Sequence, residues 1–111
     1  MRVELLAPAG NFSKLKTAFY FGADAAYVGG KDFSLRSFAD NFTRDELASA
    51  VKLAHSQNKK VYITANIYAK NGDVARLEDY FAFLQEAGAD AAIISDSGAF
   101  YAARKAAPKL Q

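Results

Sequence analysis

Along the chain, short uninterrupted apolar runs alternate with longer stretches whose apolar residues recur every third or fourth position. The first rhythm suits strands buried on both faces, the second amphipathic helices. Val3-Glu4-Leu5-Leu6-Ala7 is the first run, and Pro8-Ala9-Gly10 closes it with turn chemistry. Asn11 or Ser13 can cap a helix whose apolar face holds Leu15, Ala18 and Phe19. Gly22 suits the left-handed position beyond that helix, and Ala25–Val28 is a second strand. Thr43-Arg44-Asp45-Glu46 is a capping box, followed at helical spacing by Leu47, Ala50, Val51 and Ala54. Lys59-Lys60 is expected to end this helix. Val61–Ala65, rich in β-branched and aromatic residues, is expected to form the third strand. Asn71-Gly72-Asp73 is a turn, with Asp73 as a cap. Val74, Leu77, Tyr80, Phe81 and Leu84 then line a helix that Gly88 stops. Ala91–Ile94 is the fourth strand, and Ala99–Ala106 a last helix before Pro108.

Four strand–helix units in one α/β domain spanning residues 1–111 predict a parallel sheet, its strands too uniformly apolar for either face to be wet. Gly22-Ala23-Asp24-Ala25-Ala26 recurs as Gly88-Ala89-Asp90-Ala91-Ala92, each copy leaving a helix and opening a strand. Repetition of a two-unit piece favours half of a TIM-like (β/α) barrel over an open doubly wound sheet. Four units cannot close a barrel of eight strands, so the chain reads as a fragment of a larger barrel protein. In isolation its first and fourth strands would have free edges, which invite a homo-oligomer.

Composition narrows the chemistry. The net charge of +2 is spread among scattered lysines, arginines and acids, without the basic cluster of a dedicated nucleic-acid binder. The chain has no cysteine, which rules out disulfides and thiolate chemistry within it. A single histidine, His55, argues against a self-contained zinc site, and no metal site is expected. No apolar run is long enough to span a membrane, and a cytoplasmic location is expected.

The stretch Gly29–Phe42, GGKDFSLRSFADNF, is fourteen residues long where about two to six usually join a strand to a helix. Its phenylalanines can anchor it while Lys31 and Arg36 are presented. In parallel (β/α) arrangements, the loops after the strands gather on one face and carry the site. The candidate substrate-binding residues there are Gly10, Asn11, Gly29, Gly30, Lys31, Arg36, Asn66 and Asp96. Each has a plainer alternative. The glycines can serve only tight turns, and Arg36 can pair with Asp32 or Asp40. Asn66 can bond a neighbouring loop, and Asp96 can cap the last helix. As ligand groups, Arg36 would clamp a phosphate or carboxylate with its planar fork, and Asn66 would bond a base or carbonyl. His55, near a helix C-terminus, suits a structural role, and Glu4 is expected to pair with a lysine or arginine at the opposite end.

Several of these motifs together resemble the collagenase-like peptidase family, peptidase U32. Glu4–Asn11, Gly22–Gly30, Phe33–Phe42, Lys60–Ile67 and Ser95–Gly98 agree in order and spacing, over nearly the whole chain. Ser97 stands where many members have proline. The resemblance implies the opening portion of a longer barrel enzyme. Some members hydroxylate tRNA wobble uridines or a ribosomal RNA cytidine, and others act in ubiquinone hydroxylation; the family takes its name from reported collagen degradation. Several members hold an iron-sulfur cluster through cysteines of later segments, which this chain lacks. Three readings follow: a substrate-binding part of an RNA hydroxylation enzyme with an RNA partner, a protease, or a non-catalytic fragment that self-associates. Catalytic residues are not identifiable from the sequence.

Overall fold

The computed structural model describes residues 4–29, 42–65, 74–94 and 97–110. Eight elements alternate: β1 (Leu6–Pro8), α1 (Phe12–Tyr20), β2 (Ala25–Gly29), α2 (Arg44–Ser56), β3 (Lys60–Ala65), α3 (Val74–Ala87), β4 (Ala91–Ile94) and α4 (Ser97–Ala106). The strands form one parallel sheet in the order β1-β2-β3-β4. A doubly wound sheet reverses its strand order at a switch point; this one does not. With right-handed crossovers, an unreversed order puts every helix on the same face. The result is an open sheet consistent with an incomplete barrel.

Each helix begins and ends for a local reason. Asn11 caps α1, its side-chain oxygen accepting from the Lys14 N–H at 2.8 Å. Thr43 and Glu46 form the reciprocal capping box of α2, with bonds of 3.1 and 3.0 Å. Gly22 and Gly88 take φ of +100° and +88° past α1 and α3, a region that disfavours a Cβ. Asn58, at φ +59°, does the same after α2. The chain therefore leaves α2 at Ser56, and Lys60 opens β3 where the sequence had Lys59-Lys60 ending the helix. Strand β1 is also shorter than expected, because Glu4 and Leu5 precede it. The Leu5 backbone is satisfied instead by Asp24, whose carboxylate accepts its N–H at 2.9 Å while its carbonyl accepts the Asp24 N–H at 2.8 Å. Pro8, without an N–H, is tolerated because β1 is an edge strand.

The core lies between the sheet and its helices. Ala26 and Val28 on β2, and Val61, Ile63 and Ala65 on β3, are buried against Leu15, Leu47, Val51, Phe81 and Leu84. Burying each of the larger of these side chains stabilises the fold by about 1.5–3 kcal/mol. The alternate residues of the same strands face the other way: Leu6 and Pro8, Ala25 and Tyr27, Tyr62 and Thr64, Ala91 and Ile93. On this second face Ala25 is buried and Tyr27, Tyr62, Thr64 and Ala91 are half-buried, whereas Leu6 and Ile93 are 44% and 43% exposed. Among the described residues, burial is fuller on the helix side of the sheet than on this one.

Candidate functional site

The carboxyl ends of the four strands lie together at one end of the sheet. Pro8 is beside Tyr27 in register, and Gly29 beside Thr64. Beyond them the chain turns: the Ala9 N–H donates to the Tyr27 carbonyl at 3.1 Å, and the Phe42 N–H to the Gly29 carbonyl at 2.9 Å. This last bond joins the two ends of the long stretch after β2. Phe42 is buried, its ring 6.5 Å from that of Phe12, so the return of the stretch is fixed to the start of α1. The Thr64 hydroxyl donates to the Val28 carbonyl at 3.2 Å and ties β3 to β2 at the same end.

Of the predicted site residues, Gly10, Asn11 and Gly29 fall within the described residues, and all three lie at this end. Asn11 spends its side-chain oxygen on the α1 cap. Gly29 closes β2 and accepts from Phe42. Gly30, Lys31, Arg36, Asn66 and Asp96 lie outside the described residues, as do Phe33, Phe38 and the cap residue Asp73. Among these, Asn66 directly follows the last residue of β3, and Asp96 directly precedes the first residue of α4.

The opposite end of the sheet is structural. His55, in the last turn of α2, bonds both Asp90 carboxylate oxygens through Nε2, at 3.2 and 3.0 Å. Asp90 also accepts the Val61 N–H at 2.8 Å. Glu4 accepts from the Tyr62 hydroxyl at 2.6 Å, so its observed partner is a phenol where a lysine or arginine was expected. This bond reaches from β3 across β2 to Glu4, two positions before β1, and Ala25 on the intervening strand is fully buried. The Glu4 hydrogen bond, assisted by desolvation and by the charges of Glu4 and Asp90, pushes the Tyr62 phenol up to about 12.

Tyr27 and Tyr62, register partners on the less buried face, are the feature sequence reasoning passed over. Each sits in an apolar run, but each occupies the alternate position opposite the buried valines and isoleucine. A strict period-two count in both strands would have set them apart. No group of histidines, cysteines, aspartates and glutamates arranged to hold a metal occurs among the described residues. With no cysteine anywhere in the sequence, these residues do not fit a thiolate-held iron-sulfur cluster. No described helix is long and apolar enough to cross a membrane.

The model of peptidase family U32 matches residues 10–111. The tRNA hydroxylation protein P1 of Bacillus subtilis is 44% identical over 97% of this chain, which covers 26% of that protein. An uncharacterized protease of Methanocaldococcus jannaschii is 46% identical over 86% of the chain, covering 24% of its own length. The 23S rRNA 5-hydroxycytidine C2501 synthase of Escherichia coli is 34% identical over 87% of the chain and is covered to 15%. The chain thus corresponds to about a quarter or less of these relatives. With a family match over nearly its whole length, and a parallel strand–helix architecture to go with it, the chain belongs to peptidase family U32.

Proposed function

We propose that this chain supplies part of the RNA-binding face of a tRNA or ribosomal RNA hydroxylation enzyme. The observation that carries the reading is the 44% identity, across almost the whole chain, to a protein named for tRNA hydroxylation. The contacting residues would be those at the carboxyl ends of the strands: the turn at Gly10 and Asn11, then Gly29, Gly30, Lys31 and Arg36, then Asn66 and Asp96. Arg36 would pair with backbone phosphate and Asn66 would hydrogen-bond a base edge. The Phe42–Gly29 bond joins the two ends of the stretch whose sequence includes Lys31 and Arg36. The hydroxylation step itself needs groups this chain does not contain, so its part is binding and orientation. The same reading makes the chain cytoplasmic and makes four further strand–helix units the complement that would close a barrel.

A chimera tests this. The chain replaces the matched quarter of the Bacillus subtilis protein, and hydroxylated tRNA nucleosides are measured by mass spectrometry in cells lacking the native copy. Hydroxylation is expected to persist in the chimera and to fall at least tenfold with Arg36→Ala or Asn66→Ala. Levels unchanged by both substitutions would overturn the reading. Proteolysis is the less favoured alternative: it rests on the family's name and on that of one relative, and the sole histidine is bonded to Asp90 away from the strand carboxyl ends.

A further inference from the structure

On the face of the sheet away from the helices, register partners of neighbouring strands line up in rows. One row is Pro8, Tyr27, Tyr62 and Ala91. The next row towards the carboxyl ends is Gly29, Thr64 and Ile93. Tyr27 therefore stands directly behind Gly29 on β2, and Gly29 has no side chain to screen it from that end. On β1 the second residue beyond Pro8 is again a glycine, Gly10. The Ala9 N–H, bonded to the Tyr27 carbonyl at 3.1 Å, holds that turn beside β2. On the other flank the Thr64 hydroxyl is occupied by the Val28 carbonyl at 3.2 Å.

Backbone conformation does not call for these two glycines. Among the described glycines, Gly22 and Gly88 take a positive φ and Gly10 and Gly29 do not. A glycine with ordinary strand geometry weakens its strand, and its use is to let something approach closely. Strand β2 is flanked on both sides, by β1 and β3, so the neighbours of Tyr27 within the sheet are all described. The two tyrosines of the row also differ. The Tyr62 hydroxyl donates to Glu4 at 2.6 Å and is tied towards the strand starts. Tyr27 is half-buried, and its hydroxyl has no hydrogen-bond partner among the described residues. Enclosed tyrosines usually find such a partner, so this hydroxyl is left for a ligand.

Resting on the RNA reading given under the proposed function, we propose that Tyr27 receives the target base, turned out of its RNA strand. The base packs against the Tyr27 ring in the space that Gly29 and Gly10 leave, and the hydroxyl bonds a polar group of the same nucleotide. Unstacked bases are held by proteins in this way, on an aromatic ring with hydrogen bonds to their edges. The role differs from that of a phosphate contact. Phosphate contacts place the strand as a whole, whereas Tyr27 places one base below the carboxyl ends of the strands.

The chimera with the Bacillus subtilis protein is the test object. An anticodon stem-loop carrying 5-iodouridine at the wobble position is bound to it and irradiated, and the cross-linked peptide is identified by mass spectrometry. The peptide containing Tyr27 should carry the RNA. Tyr27→Leu should remove that cross-link and lower hydroxylated tRNA per molecule of folded protein about tenfold, the worth of one base–aromatic stack. Tyr27→Phe keeps the ring and should keep the cross-link. Gly29→Val fills the space with a residue that suits a strand and should act like Tyr27→Leu. Tyr62→Phe, in the same row but tied to Glu4, should leave hydroxylation unchanged. Hydroxylation that persists in Tyr27→Leu, with the cross-link elsewhere, would overturn this inference and leave the RNA reading standing. Equal losses from Tyr27→Leu and Tyr62→Phe would mark a packing role and overturn it as well. A folded chimera that neither binds the stem-loop nor hydroxylates tRNA would overturn both.

Discussion

Replacing Asp90 by alanine should destabilise the fold more than any other single change at the strand-start end. The carboxylate accepts the part-buried Val61 N–H at 2.8 Å and bonds His55 at 3.0 Å. A hydrogen bond to a charged group contributes about 1.5–3 kcal/mol, and an ion pair as open to water as this one about 0–1 kcal/mol. The expected loss for Asp90→Ala is therefore about 2–3 kcal/mol. Asp24→Ala, which frees the more exposed Leu5 N–H, should cost about 1 kcal/mol. Urea denaturation at one fixed protein concentration measures both, the fixed concentration removing any contribution from association. Asp90→Asn separates the two contributions, since its amide oxygen still accepts from Val61; it should recover most of the loss. The reasoning is refuted if Asp90→Ala costs less than about 0.5 kcal/mol, or if Asp90→Asn is as damaging as alanine.

Other expectations can be checked with the same material. Thr43→Ala removes the hydroxyl half of the α2 capping box, leaving the backbone N–H of residue 43 to Glu46, and should cost about 1 kcal/mol in the urea midpoint analysis. Gly88→Ala should cost about 1–2 kcal/mol from its φ of +88° alone, because the added Cβ would meet Val51 Cγ1 only at an ordinary 3.6 Å. Tyr62 should ionise near pH 12, above its unfolded value of 10.0, in ultraviolet titration, and Glu4→Gln should bring it down. Because the folded state holds that proton more tightly, its contribution is present below pH 10 and is lost as pH rises from about 10 to about 12. Glu4→Gln should flatten that loss, and an unaltered titration would dissociate the shift from Glu4.

Local chemistry made most of the architecture legible. The Thr43–Glu46 box, the Gly22 and Gly88 stops and the β4 limits at Ala91 and Ile94 each follow from interactions within a few residues. Errors arose where a distant residue decides. Leu5 looks like strand interior until Asp24, nineteen positions on, takes up its backbone groups. Lys59-Lys60 looks like a helix end because Asn58 gives no glycine-like signal, although it takes the same left-handed turn. The difference in burial between the two faces of the sheet was hidden because apolar strands look alike on either side. For the candidate site, position was readable and contact was not. Counting strands assigns Gly10, Asn11 and Gly29 to the carboxyl end, but Asn11 Oδ1 turns out to be engaged by the α1 cap.

The central claim is directional: RNA contacts belong to the carboxyl end of the sheet and structural clasps to the other. It is tested most directly by comparing Arg36→Ala with His55→Ala in the chimera, scoring hydroxylated tRNA per molecule of folded protein. The account predicts at least a tenfold fall for Arg36→Ala and less than a twofold change for His55→Ala. Equal effects, or a larger fall for His55→Ala, would contradict it.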